Sequence, residues 1–171
     1  TPLIARLVSS QSLNGTEAIA RFEFQVESAK TGFSELRFTH DPSFSPSNVT
    51  ANNLVSWSLL TGDSAEPSIL VRLREPTRSA AVVISGTSAV NWVPDEFRSP
   101  EVRLMNGILR SEKLALSIGP SLEIRDAKLR AYTLVKSGQS ADRSYVLEME
   151  PALINGSRQQ HQRPSILVGP R

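Results

Sequence analysis

The sequence predicts an all-β protein, an antiparallel β-sandwich of two packed sheets with about 10–13 strands. Three observations carry that expectation. Apolar residues recur with period two along most of the chain, turn residues punctuate the chain at sandwich-like spacing, and two stretches echo each other. Helical content is expected to be minor, because no segment holds a 3.6-residue period.

The elements follow in order. Ala18, Ala20, Phe22, Phe24 and Val26 alternate with Arg21, Glu23 and Gln25, the pattern of a strand with one dry face. Ile69, Val71 and Leu73 alternate with Arg72 and Arg74. Leu114, Leu116 and Ile118 form a third such set, and Tyr145, Leu147 and Met149 a fourth. Shorter candidates are Leu3–Val8, Leu36–Thr39, Leu54–Leu60, Ala80–Ser85, Val90–Val93, Val102–Met105, Leu122–Arg125, Leu129–Val135 and Ile166–Val168. Asp95–Glu101 has room for one helical turn before Pro100 stops it. Asn106-Gly107 is the strongest hairpin signal, since a type I′ turn needs positive φ at both positions. Asn14-Gly15 has the same chemistry, and Gly62-Asp63 and Ser137-Gly138 open the loops of two further hairpins. Pro42, Pro46, Pro67, Pro76, Pro94, Pro100, Pro120 and Pro151 fall in expected connections, where a missing N–H removes no ladder bond.

The echo joins residues 35–76 to residues 113–151. Leu36, Phe38, Pro42, Ser43 and Phe44 align with Leu114, Leu116, Pro120, Ser121 and Leu122. After a three-residue gap, Leu54, Trp57 and Leu59 align with Leu129, Tyr132 and Leu134, and both stretches close on Glu-Pro. The pattern implies a strand–hairpin–strand unit used twice around one core. A unit of about 40 residues has too little core to stand alone. Residues 1–154 therefore read as a single sandwich domain, and 155–171 as a polar loop or tail with a short last strand.

Composition narrows the function. Nineteen basic and 17 acidic residues leave a net charge of only +2, spread along the chain. Nucleic-acid binding needs clustered positive charge, so no nucleic-acid partner is expected. No apolar run approaches the 18–20 residues of a membrane-spanning helix, and no membrane insertion is expected. The lack of cysteine excludes disulfides and thiolate chemistry. Thr1 in place of methionine suggests excision from a longer protein.

Catalytic constellations are sparse. His40 and His161 share no ligand spacing with carboxylates, so no metal and no cofactor are expected, and His40 reads as a solvated turn residue. No Gly-x-Ser-x-Gly elbow and no Gly-rich phosphate loop exist. Glu148 and Glu150 share a face that is most simply the wet one, and no catalytic residue is assigned. The aromatics Trp92, Trp57 and Tyr132 are the candidate ligand-binding residues, because an apolar ring face can stack on a sugar. In strict alternation Val55, Trp57 and Leu59 share one face, which makes Trp57 a core or sheet-cover residue. Asn14, Asn48 and Asn155 each head a glycosylation sequon in an expected turn.

The segments LVSWSLL, SILVRLREP and AAVVISG resemble immunoglobulin- or fibronectin-like β-sandwich modules of large secreted bacterial proteins. That resemblance implies an architecture and no site residues. The expected function is a non-catalytic module of a larger cell-envelope or extracellular protein, with a structural, assembly or adhesion role. Its partners would be other domains of the same parent, or protein or glycan. The alternative is a carbohydrate-binding module that uses the exposed aromatics.

Overall fold

A computed structural model describes residues 2–15, 17–61, 66–90, 96–152 and 163–170. Fourteen strands run through them: β1 (Leu3–Leu13), β2 (Glu17–Glu27), β3 (Phe33–His40), β4 (Phe44–Ala51), β5 (Leu54–Leu60), β6 (Ser68–Thr77), β7 (Ser79–Ala89), β8 (Glu96–Arg98), β9 (Val102–Leu104), β10 (Gly107–Ile118), β11 (Leu122–Lys128), β12 (Tyr132–Gln139), β13 (Tyr145–Pro151) and β14 (Ser165–Pro170). The all-β sandwich is as the alternation predicts, but three sheets replace the expected two. A seven-stranded sheet, ordered β12-β13-β10-β1-β2-β7-β4, is faced by a four-stranded sheet β5-β6-β3-β9 and a three-stranded sheet β11-β14-β8. All pairs are antiparallel except β1 with β10, whose parallel register runs from Leu3 opposite Gly107 to Leu13 opposite Ile118.

Two hydrophobic clusters, rather than one, fill the sandwich. The first packs Phe22, Phe24, Val82 and Ile84 of the large sheet against Leu36, Phe38, Ile69 and Val71 of the four-stranded sheet. The second packs Leu114, Leu116, Leu147 and Met149 against Phe97, Leu122, Ile166 and Val168 of the three-stranded sheet. β1 crosses from one to the other. Its inward residues are Ala5 and Leu7 in the first cluster, then Ser9 and Gln11, then Leu13 in the second. Ser9 Oγ and both polar side-chain atoms of Gln11 are buried without a hydrogen-bond partner among the described residues.

The echo becomes a repeated topology. β2-β7-β4 and β5-β6-β3 form one unit, and β8-β14-β11 and β12-β13-β10 form another with the same connectivity. One offset aligns most of it without a gap. It places Leu36 opposite Val71 on Leu114 opposite Met149, and Leu54 opposite Leu73 on Tyr132 opposite Pro151. The strand corners also agree: Phe44 N–H donates to Asp41 O and Leu122 N–H to Gly119 O, both at 3.1 Å. A bulge interrupts β4 between Pro46 and Asn48 and β11 between Ile124 and Asp126, at the same step of the repeat. The three-residue gap is therefore wrong. Tyr132 stands at the rung of Leu54, not of Trp57, and the two Glu-Pro pairs are not equivalent.

Several local expectations change. β4 was not expected, because Pro46 reads as a breaker; it is an edge strand, where a proline is tolerated. Residues 96–98 form β8 rather than a helical turn, paired to β14 from Arg98 opposite Ser165. Asn106 takes the positive φ, 59°, that the Asn-Gly signal demands. Yet β9 and β10 do not pair: β9 lies on β3, and β10 lies on β1 and β13. The turn carries the chain between sheets instead of closing a hairpin. Ser137-Gly138 lies within β12, not in the loop after it. Ile166–Val168 falls in β14, the central strand of its sheet. Val90–Val93 and Gly62-Asp63 lie outside the described residues, apart from Val90.

Two substitutions test the packing. A Cβ on Gly86 would meet Ser45 O at 2.2 Å and Phe44 Cζ at 2.7 Å, while one on Gly138 would meet nothing within 4 Å. Gly86→Ala is expected to lower the unfolding free energy by about 1–3 kcal/mol, as other overpacked cores do, and Gly138→Ala to leave it level or raise it by up to about 1 kcal/mol, because the added methyl clashes with nothing and restricts the unfolded chain. Urea denaturation checks both. Gln11→Met removes an unpaired buried amide at similar volume and is expected to raise stability by about 1–3 kcal/mol in the same assay.

Candidate functional site

The most densely connected polar cluster sits on the inward face of the second unit. Glu112 of β10 has the parity of Leu114, Leu116 and Ile118, so the strand that builds the core also buries this carboxylate. Arg163, just before β14, meets it: Nη1 donates to Glu112 Oε1 at 2.7 Å, and the two side chains are only 5% and 2% exposed. The hydroxyl of Tyr132 donates to Glu112 Oε2 at 2.7 Å and accepts from Arg163 Nη1. Arg163 Nη2 donates to Ser99 Oγ at 3.0 Å and to Pro100 O at 3.1 Å. The guanidinium carbon lies 5.3 Å from the centre of the Tyr132 ring.

Burial is the largest single influence and works against the Arg163 charge, but Glu112, Tyr132 and Glu101 together outweigh it, and the pKa rises above its ordinary value. A raised folded-state value gives stability that is complete below the ordinary arginine pKa. It is lost only above that range, so Arg163 stays charged at every working pH. The cluster ties β10, β12, the β8–β9 link and the start of β14 together. Its chemistry is that of a structural clamp: Glu112, Tyr132 and Arg163 hydrogen-bond one another, although Arg163 Nε is buried without a hydrogen-bond partner among the described residues.

A second, smaller polar site lies at the corner between β3 and β4. Thr39, His40, Asp41, Glu66, Glu101 and Arg103 surround a cavity of about 10 Å³, room for one water. His40 is not the solvated turn residue expected. It is 7% exposed, with Nδ1 2.8 Å from Asp41 O and its ring edge on Phe44 at 5.7 Å. The cause is the corner itself, which folds Phe44 back into the first cluster beneath His40. Asp41 Oδ2 accepts from the Glu101 N–H at 2.9 Å, and Arg103 bridges Glu66 and Glu101 at 3.4 and 3.5 Å. Among the described residues no group of three or more His, Asp or Glu side chains converges as metal ligands would.

The aromatic candidates are dispersed. Trp57 of β5 is half-buried against the first cluster, and Tyr132 of β12 against the second. Trp92 and His161 lie outside the described residues. Strict alternation fails in β5, because Val55 is an extra residue between the rungs of Leu54 and Ser56. Leu54 and Trp57 consequently share the core face, and Val55 is 59% exposed. Glu148 and Glu150 are both exposed, on the wet face. Arg163 had no sequence signal, since it ends a polar run; Glu112 had one, a charge in step with three core residues.

Truncating Arg163 to Ala strands the Glu112 carboxylate and is expected to cost about 3–5 kcal/mol. The double change Glu112→Leu with Arg163→Met should cost less than that single one. A two-by-two set of urea midpoints reads the difference.

No family model matches this chain, and no curated protein matches it. Solved structures do. An M1 zinc metallopeptidase from Deinococcus radiodurans, as an E323A mutant bound to a Tyr-Ser-Ala substrate, superposes with a TM-score of 0.55 at 9% identity. The same mutant without that substrate and the unmutated enzyme each give 0.51, at 10% and 11% identity. Each match covers 99% of this chain and 42–43% of the peptidase chain. The chain thus spans less than half the length of these structures, and the likeness is one of fold. The architecture they share is a β-sandwich.

Proposed function

We propose that this chain is a non-catalytic β-sandwich module of a larger cell-envelope or extracellular protein, with a structural, assembly or adhesion role. The observation that supports this reading most directly is the pattern of coverage. The same fold, matched over 99% of this chain, occupies less than half of longer chains. A unit of this kind acts by holding other parts of its parent, and its partners are those neighbouring domains. The Glu112 cluster fits that role, because Glu112, Tyr132 and Arg163 hydrogen-bond one another and Arg163 also holds Ser99 and Pro100. Kinship with immunoglobulin- or fibronectin-like modules enters the reading as architecture alone.

A carbohydrate-binding reading draws on the partial exposure of Trp57 beside the exposed Val55 and Leu59. A glycan array separates the two readings: the module is expected to give no sugar-dependent signal, and a signal lost in Trp57→Ala or Trp92→Ala would favour sugar binding. Catalysis is tested with aminoacyl p-nitroanilides in the presence of zinc. No turnover is expected; turnover abolished by His40→Ala would overturn the non-catalytic reading.

A further inference from the structure

Six strands border the three sheets: β12 and β4, β11 and β8, β5 and β9. Five are blunted in ways that deter pairing with another chain. β8 and β9 have three residues each and carry Glu96, Arg98 and Arg103. β11 carries Glu123, Arg125, Asp126 and Lys128, β12 carries Lys136 beside a bulge, and β4 carries Pro46 beside a bulge. β5 is the exception. Its seven residues, LVSWSLL, include no charge and no proline, and its bulge falls at its start, so Ser56–Leu60 pair in unbroken register with β6. Leu59 is 51% exposed although it stands opposite the fully buried Ile69. Among the described residues no strand lies on the outer side of β5.

We infer that β5 pairs antiparallel with β5 of a second copy of this chain, about a twofold axis at Ser58. The occupant follows from the pattern of the edge. That axis sets Trp57 opposite the partner's Leu59 and Ser58 opposite its own counterpart. The rung Val71, Trp57 then continues into Leu59 and Ile69 of the second copy as one apolar row on the core side. The outward rung Arg72, Ser56 continues into Leu60 and Ser68, so no like charges meet. The two four-stranded sheets become one of eight strands, and the isologous contact uses both β5 edges, leaving the three-residue β9 at each end. The inference is independent of the module reading, because it concerns the chain alone.

The test is sedimentation of the full chain between about 1 and 100 µM, a range that brackets weak dimers. A concentration-dependent dimer is expected, and Leu59→Lys should weaken it at least about tenfold while leaving the circular dichroism unchanged. Because the chain has no cysteine, Ser58→Cys introduces a single thiol on the axis. Facing strand residues lie about 4.5–5.5 Å apart at Cα, within disulfide reach. Mild oxidation should give a covalent dimer from Ser58→Cys and far less from Ser12→Cys, on the large sheet. A monomer throughout overturns the self-pairing in favour of a strand from another polypeptide. A dimer that ignores Leu59→Lys, or in which Cys at 58 fails to cross-link, overturns the β5 contact.

Discussion

The burial of one strand's inward face holds both halves together. β1 is hydrogen-bonded to β2 on one side and to β10 on the other, and so joins two units that otherwise have separate facing sheets. Its inward side chains enter the first cluster at Ala5 and Leu7 and the second at Leu13. Without β1, both β2 and β10 would become open edges in the middle of a sheet, each long enough to recruit another chain. The two units turn non-equivalent edges toward β1: β2 has β8 as its counterpart in the second unit, and β10 has β3 as its counterpart in the first. A single strand placed between them runs antiparallel to β2 and parallel to β10. The polar pair Ser9 and Gln11 marks the seam where neither cluster fills the space.

What could be read from the chain depends on how local its cause is. The alternation of β2 is legible residue by residue, because one face meets a core and the other meets water. β4 was hidden, because Pro46 excludes a central strand but not an edge, and edge position is a tertiary fact. β8 was hidden by its length: three residues carry no period. The register of the repeat was misread through Trp57 and Tyr132, two aromatics of similar size. The bulges at Val55 and Val135 fall at different steps, so similar residues came to stand on different rungs. A bulge has no sequence signature as strong as a turn does, which is why strict alternation puts Val55 on the wrong face.

The polar clusters divide along the same line. Glu112 was legible as an anomaly, a carboxylate on a dry face that demands a partner. The identity of that partner was not, because Arg163 lies 51 positions away and comes from a segment whose composition reads as a tail. A buried pair of this kind contributes less by its attraction than by the cost of breaking it. That asymmetry suits a clamp: it adds little to stability while it restricts where residues 99–100 and the start of β14 can lie. His40 follows the same logic. Its burial is decided by Phe44, four residues on, which turns into the core only because the chain changes sheets at Asp41.

The two units also differ at the strands that end their smaller and larger sheets, β5 and β12. β5 and β12 occupy equivalent places, and each ends a sheet. β12 interrupts its own edge with Lys136 just past the bulge, near the centre of its ladder with β13. β5 places its bulge at the entry and keeps five unbroken, uncharged residues beyond it. Trp57 and Leu134 stand at the same rung of the repeat, but Trp57 packs against the first cluster whereas Leu134 is 40% exposed. A bare edge carries a standing risk of aggregation, and among the described residues the other five borders of the three sheets carry charge, proline or short length against it, while β5 does not.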